Sequence, residues 1–119
     1  MPKLRVYHYP QCSTCKKAIK WLAAHDVGVE LVHIVEHPPS KAELREALKG
    51  AGIPLKKLFN TSGASYREGG FGERLATMTE AEAIDALSKD GKLIKRPVVL
   101  GKGVALVGFD EAAYAEKLG

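Results

Sequence analysis

Both cysteines of the chain lie in one short stretch, His8-Tyr9-Pro10-Gln11-Cys12-Ser13-Thr14-Cys15-Lys16-Lys17. The run before it, Leu4-Arg5-Val6-Tyr7, is rich in β-formers, and the run after it, Ala18-Ile19-Lys20-Trp21-Leu22, has a helical pattern. A Cys-x-x-Cys at a strand-to-helix junction is a redox-site signature. The helix end supplies the reason: its first backbone N–H groups have no intrahelical partner, and the macrodipole puts partial positive charge on them. A thiolate placed there is stabilised and becomes a nucleophile near neutral pH. Lys16 and Lys17 add positive charge in the first turn, the wrong sign for helix stability and the right sign for a thiolate or a bound anion. His8 acts in the same direction if it is protonated nearby. Two other readings of the pair stay open. The thiols can be packed and inert, or they can be half of a zinc site, although structural zinc normally takes four ligands.

The first unit reads β-α-β. Leu4 to Tyr7 is a strand, Ser13 to about His25 a helix, and Val29 to Ile34 an alternating, branched second strand. Two strands joined by one helix should be parallel, with a right-handed crossover. Pro38-Pro39 ends this unit, and Ser40-Lys41-Ala42-Glu43 is a capping box that opens a helix through Leu44, Ala47 and Leu48. A short helix follows over Leu55 to Phe59. The stretch Asn60 to Gly70 is polar and glycine-rich, and reads as a loop of functional length. It is not a phosphate-binding P-loop, because no Gly-Lys-Ser/Thr follows at the required spacing. Thr79-Glu80-Ala81-Glu82 is a second capping box, opening a helix to Asp90-Gly91.

The end reads β-β-α. Pro97 to Leu100 and Val104 to Val107 flank Gly101-Lys102-Gly103, a three-residue hairpin signal, and Asp110 can N-cap a last helix, Glu111 to Leu118. Trp21 and Tyr114 are candidates for the core or its edge, and His25, His33 and His37 for the surface. This order is that of an α/β, thioredoxin-like fold. It implies one domain, 1–119, with a four-stranded mixed sheet and a helical insertion at about 40–92, between the two halves and over the cysteine end.

Composition limits the function classes. A chain of 119 residues is long enough for one real core, and 45% hydrophobic with 27% charged residues is the balance of a soluble globular protein. The net charge of +4 permits an anionic partner. It does not call for nucleic acid, because Lys and Arg are scattered with no long basic run. The opening residues do not form a signal peptide, and no apolar run is long enough to span a membrane. A cytoplasmic protein is expected, in which two close cysteines are a reactive pair rather than a structural staple.

Several pieces together resemble the glutaredoxin-linked arsenate reductase family, which also contains the Spx-type redox regulators of RNA polymerase. They are Tyr7-His8-x-Pro10-x-Cys12, Pro38-Pro39-Ser40 after a strand, the Gly52-Ile53 turn, Leu93-Ile94-x-Arg96-Pro97-Val98, and the closing hairpin. The resemblance covers nearly all the chain. It implies that Cys12 is the nucleophile, that His8 lowers its pKa, and that Arg96 holds an oxyanion. Pro97 is the cis-proline of thioredoxin-like folds by the same likeness. Ser13, Thr14, Lys16 and Asn60 join Arg96 as substrate-binding candidates. The substrate implied is arsenate or a similar oxyanion. Cys15 or glutathione resolves the adduct, and thioredoxin or glutaredoxin restores the dithiol, with no metal or organic cofactor.

The chain departs from the reductases in two places. Reductases of this family use three arginines, and here Asn60 stands where one is expected, while the third place falls near Gly108. Lys57, Arg67 or Lys16 are candidates to compensate. Cys15 is the second departure: many glutathione-dependent members lack it, whereas the regulators carry Cys-x-x-Cys. The alternative function is therefore a redox-sensing regulator that binds RNA polymerase through a Cys12–Cys15 switch. A monomer is expected in either case.

Overall fold

The computed structural model describes residues 3–101 and 103–118. The strands are β1 (Leu4–His8), β2 (Val29–His33), β3 (Val98–Gly101) and β4 (Val104–Val107). They form one mixed sheet in the order β2-β1-β3-β4. β1 and β2 are parallel, joined through helix α1 (Ser13–Ala24), and the other two pairings are antiparallel. Four helices separate β2 from β3: α2 (Lys41–Ala51), α3 (Ala64–Glu68), α4 (Phe71–Arg74) and α5 (Glu80–Lys89). A last helix, α6 (Glu111–Leu118), follows β4, and the Asp110 carboxylate accepts the Ala112 N–H at 3.2 Å as its cap.

Strand alternation divides the core in two. Leu4 and Val6 of β1, Val99 of β3 and Leu106 of β4 pack with Ala18, Trp21, Leu22 and Tyr114, on the side of α1 and α6. Tyr7, Val98, Leu100 and Ala105 face the other way, into a larger cluster with Ile34, Leu44, Leu58, Ile84 and Leu87. Successive strand side chains point to opposite faces, so both faces of this sheet are covered and β1 and β3 are nearly free of exposed apolar surface. Trp21 and Tyr114 are core residues as expected, meeting edge to face at 5.6 Å between ring centroids.

Both capping boxes form. Ser40 Oγ accepts the Glu43 N–H and Glu43 returns to the Ser40 N–H; Thr79 and Glu82 do the same for α5. Glu43 has a further task. Its carboxylate accepts the Tyr7 hydroxyl at 2.8 Å and the Arg5 guanidinium at 2.7 Å, so one side chain caps α2 and ties it to β1.

Three expectations are corrected. Asn60 to Gly70 is not a loop throughout: Ala64–Glu68 is helical, and Gly70, at φ +67°, turns the chain into α4. Tyr66 and Phe71 drive this, because both are buried against Phe59, with the Phe59 and Phe71 rings 5.6 Å apart. The hairpin is tighter than a three-residue turn, since Gly101 is still paired with Val104. Lys102 lies outside the described residues. His33 is half-buried rather than exposed, and its Nδ1 accepts the Val35 and Glu36 N–H groups. Gly91 does more than end a helix: a Cβ there would run into the Ile34 carbonyl, so the 3₁₀ turn Gly91–Leu93 seats directly on the chain leaving β2.

The Glu43 tie predicts a pH-dependent stability. Burial opposes the Glu43 carboxylate, but the Ser40 backbone, Tyr7 and Arg5 outweigh it and hold its pKa below the usual value. Its contribution is complete above the unfolded carboxyl pKa, about 4.3, and is lost as pH falls through the lower folded value. Glu43→Ala should lower the unfolding free energy at pH 7 by about 1–2 kcal/mol through the lost cap and the unpaired Tyr7 hydroxyl. Urea melts at pH 7 and at pH 3 check this, and the difference between variant and wild type should shrink at pH 3.

Candidate active site

The two thiols sit one helical turn apart at the start of α1. Cys12 is the N-cap, at φ −85° and ψ 116°, and its Sγ accepts the Cys15 N–H at 3.3 Å. Sulfur takes the place of the usual hydroxyl or carboxylate oxygen that satisfies an orphan N–H. The loop before it is closed by the Cys12 N–H donating to the Tyr9 carbonyl at 3.0 Å. Cys12 is half-buried, Cys15 is buried, and both are free thiols.

The environment separates them electrostatically. Burial works against the Cys12 thiolate. Hydrogen bonds from the Cys15 side chain and backbone, and then the Arg96 guanidinium, overcome it, so the Cys12 pKa lies below that of an ordinary thiol. Burial pushes the Cys15 thiol up, and the neighbouring Cys12 sulfur pushes it further. The two thiols thus differ in acidity, Cys12 being the readier to ionise and Cys15 the more firmly protonated.

Arg96 reaches this place through the sheet. Tyr7 pairs with Val98, so the Arg96-Pro97 segment arrives where β1 gives way to the cysteine loop, and the Arg96–Pro97 peptide is cis, as expected. The guanidinium lies over the Tyr9 ring, 4.9 Å from its centroid. Its Nε is buried without a hydrogen-bond partner, while Nη1 makes only a long 3.5 Å contact with the Lys92 carbonyl. A buried, unpaired donor on a cation is costly, and an oxyanion is the complement it lacks.

The other candidates are placed differently. Ser13 and Lys16 are exposed in the first turn of α1, and Thr14 is half-buried there. His8 faces His33, with ring centroids 6.4 Å apart, and its pKa is lowered by burial and then by His33. His8 therefore tends to be neutral, and the charge that bears on Cys12 comes from Arg96. The Asn60 amide folds back over Gly63, and its backbone N–H donates to the Leu93 carbonyl at 2.8 Å. Arg67 is engaged with the Ser62 carbonyl at 2.9 Å, within its own turn. Among the described residues, no cluster of three His, Cys, Asp or Glu side chains is placed to hold a metal. Sequence reading missed Tyr9, which meets Arg96 with its ring and both cysteines with its backbone. Its only signal was an aromatic residue just ahead of Pro10.

A dithiol at a strand-loop-helix junction, with a cis-proline ahead of the antiparallel strand of a mixed four-stranded sheet, defines a thioredoxin-like protein. The chain belongs to the ArsC family, whose model matches residues 7–117. It is 46% identical over 113 residues to the uncharacterized protein YusI of Bacillus subtilis, covering 95% of this chain and 96% of that one. The arsenate reductase of Neisseria meningitidis is 26% identical over 91% of this chain and 92% of its own, and the regulatory protein MgsR of Bacillus subtilis is 24% identical over 91% and 84%. Among solved structures, an ArsC family related protein from Bacteroides fragilis superposes with a TM-score of 0.91, at 41% identity over 97% of both chains.

The stacking of Arg96 on Tyr9 predicts a graded effect. Cation–π contacts contribute about 0.5–2 kcal/mol according to exposure. Tyr9→Ala should free the guanidinium and raise the Cys12 pKa, while Tyr9→Phe should keep the wild-type value. The pH dependence of thiolate absorbance in the three proteins, each with Cys15→Ser, checks this.

Proposed function

We propose that the protein is a thiol oxidoreductase in which the Cys12 thiolate attacks a small oxyanion, arsenate by family likeness. The observation that carries this reading is the asymmetry of the two thiols across one turn, with Arg96 beside the more acidic one. Cys12 displaces one arsenate oxygen, which leaves as water, and an S–As bond forms. This is nucleophilic catalysis. The Arg96 guanidinium and the open N–H groups at the start of α1 balance the charge on the remaining oxygens.

Cys15 then loses its proton and attacks Cys12 Sγ. The S–S bond forms, the S–As bond breaks, and its electron pair stays on arsenic, which departs as arsenite. Two thiols have lost two electrons and arsenic has gained them. A small thiol such as glutathione can take the place of Cys15 in this step. A thioredoxin- or glutaredoxin-type dithiol completes the cycle by exchange. The scheme needs no metal or organic cofactor, and its setting is the reducing cytoplasm, with the chain acting as a monomer.

A redox-sensing regulator is the second reading, with RNA polymerase as partner and the Cys12–Cys15 bond as switch. One observation favours it: a single guanidinium attends Cys12, and the Asn60 amide turns away to Gly63.

A thioredoxin-coupled assay of arsenate-dependent NADPH consumption separates the two. Under the reductase reading, Arg96→Ala loses about 10²–10³ in turnover, the usual cost of one oxyanion donor. Arg96→Lys recovers part, because it keeps the charge and loses the fork. Peroxide-driven formation of the Cys12–Cys15 bond slows in Arg96→Ala only as far as the Cys12 pKa rises without the guanidinium, much less than arsenate turnover, and stays closer to wild type in Arg96→Lys. Negligible wild-type turnover together with capture of RNA polymerase favours the regulator. Robust turnover unchanged in Arg96→Ala removes Arg96 from the site.

A further inference from the structure

We propose that His33 is a positioning residue for the chemistry at Cys12: its ring sets the Tyr9 ring, and Tyr9 in turn holds the Arg96 guanidinium at the cysteine loop. The reaction it serves rests on the oxidoreductase reading above; the placement itself does not.

His33 is the last residue of β2 and pairs with His8, the last of β1. The chain turns directly after it. The His33 Nδ1 accepts the Val35 N–H at 3.3 Å and the Glu36 N–H at 3.2 Å, and its carbonyl accepts the His37 N–H at 2.8 Å. An accepting Nδ1 carries no proton, so the ring proton sits on Nε2 and the ring is fixed from one side. The turn is anchored as well. Ile34 is fully buried, its N–H donates to the His8 carbonyl at 2.9 Å, and Gly91 packs against its carbonyl.

A turn of this kind needs only a short acceptor, which Asn or Asp supplies. The imidazole reaches further than the turn requires. It stands at 83° to the Tyr9 ring, with 5.6 Å between centroids. Such a T-shaped pair is attractive and directional, so it favours one orientation of the tyrosine. The Tyr9 ring carries the Arg96 guanidinium 4.9 Å from its centroid, and the Tyr9 carbonyl accepts the Cys12 N–H at 3.0 Å. One residue thus touches the cation with its ring and the nucleophile with its backbone. A second hold on Arg96 comes from the same corner. Its Nη1 meets the Lys92 carbonyl at 3.5 Å, in the 3₁₀ turn that seats on Ile34. Both holds trace to the adjacent residues 33 and 34. The guanidinium depends on them, because its buried Nε has no hydrogen-bond partner.

His33 also faces His8, with ring centroids 6.4 Å apart, and the His8 pKa is lowered by burial and then by His33. The two routes from His33 to Cys12 have opposite signs. Through His8, removing the ring eases protonation of His8, favours the Cys12 thiolate and lowers its pKa. Through Tyr9, removing the ring loosens Arg96, withdraws positive charge from Cys12 and raises its pKa.

His33→Asn keeps an acceptor for the turn and removes the ring, while His33→Phe keeps a ring and removes the acceptor. Carbon-13 at the cysteine Cβ atoms reads the Cys12 titration in the full chain, and urea melts read the fold. His33→Asn should raise the Cys12 pKa by about 0.5, which cuts the thiolate fraction below that pKa about threefold. Arsenate turnover in that pH range should fall with it. His33→Phe should unfold at lower urea concentration, yet its Cys12 should titrate nearer to wild type than that of Tyr9→Ala. In a Tyr9→Ala background, His33→Asn should add nothing, because its route to Arg96 is already gone. A folded His33→Asn with the wild-type Cys12 pKa, a fall in that pKa, or an effect that adds in full to that of Tyr9→Ala overturns the proposal. So does a folded His33→Phe whose Cys12 pKa rises as far as in Tyr9→Ala. A wild type without arsenate turnover overturns the oxidoreductase reading, and the Cys12 titrations still decide the role of His33.

Discussion

The hydrogen bond from the Cys15 N–H to Cys12 Sγ, 3.3 Å long, is the contact on which the chemistry of this fold depends. It joins a structural need to a chemical one. The first turn of α1 has orphan N–H groups, and Cys12 satisfies one with sulfur. In return the sulfur gains a donor that stabilises its thiolate. The same turn buries Cys15, and burial keeps that thiol protonated. Two residues of identical chemistry thus acquire different reactivity from one turn of helix.

The sheet exists, in this sense, to bring a charge to that turn. β1 is central and carries the cysteine loop at its end; β3 runs antiparallel beside it and delivers Arg96 and the cis Pro97 to the same end. α2 is pinned to β1 through Glu43, and the 3₁₀ segment after it is stitched to residues 93–95. These contacts bring lysines of the insertion close to the segment that carries Arg96. The places where the resemblance implies two more arginines hold Asn60, turned to its own loop, and Gly108, covered by Lys95.

Much of this was legible in the sequence, because local signals were strong. The Cys-x-x-Cys junction, the two capping boxes and the Arg96-Pro97-Val98 run each carry their own physics, and each formed as written. What was not legible depends on tertiary contact. α3 and α4 are too short for a helical period to show through a glycine-rich stretch; only Tyr66 and Phe71 reaching Phe59 make them helices. His8 was expected to act as a charge, and burial beside His33 turns it toward the neutral form. Tyr9 bears on the site through Arg96, a partner distant in the chain, and no spacing rule announces it.

The account stands on the claim that one helix turn makes the two thiols unequal. Carbon-13 labelling of both cysteine Cβ atoms, followed by NMR titration of the reduced protein, measures this at each residue. The account predicts that Cys12 ionises first, below the ordinary thiol value of about 8.5, and that Cys15 remains protonated well above it. Coincident titrations near that ordinary value, or Cys15 ionising before Cys12, would contradict it.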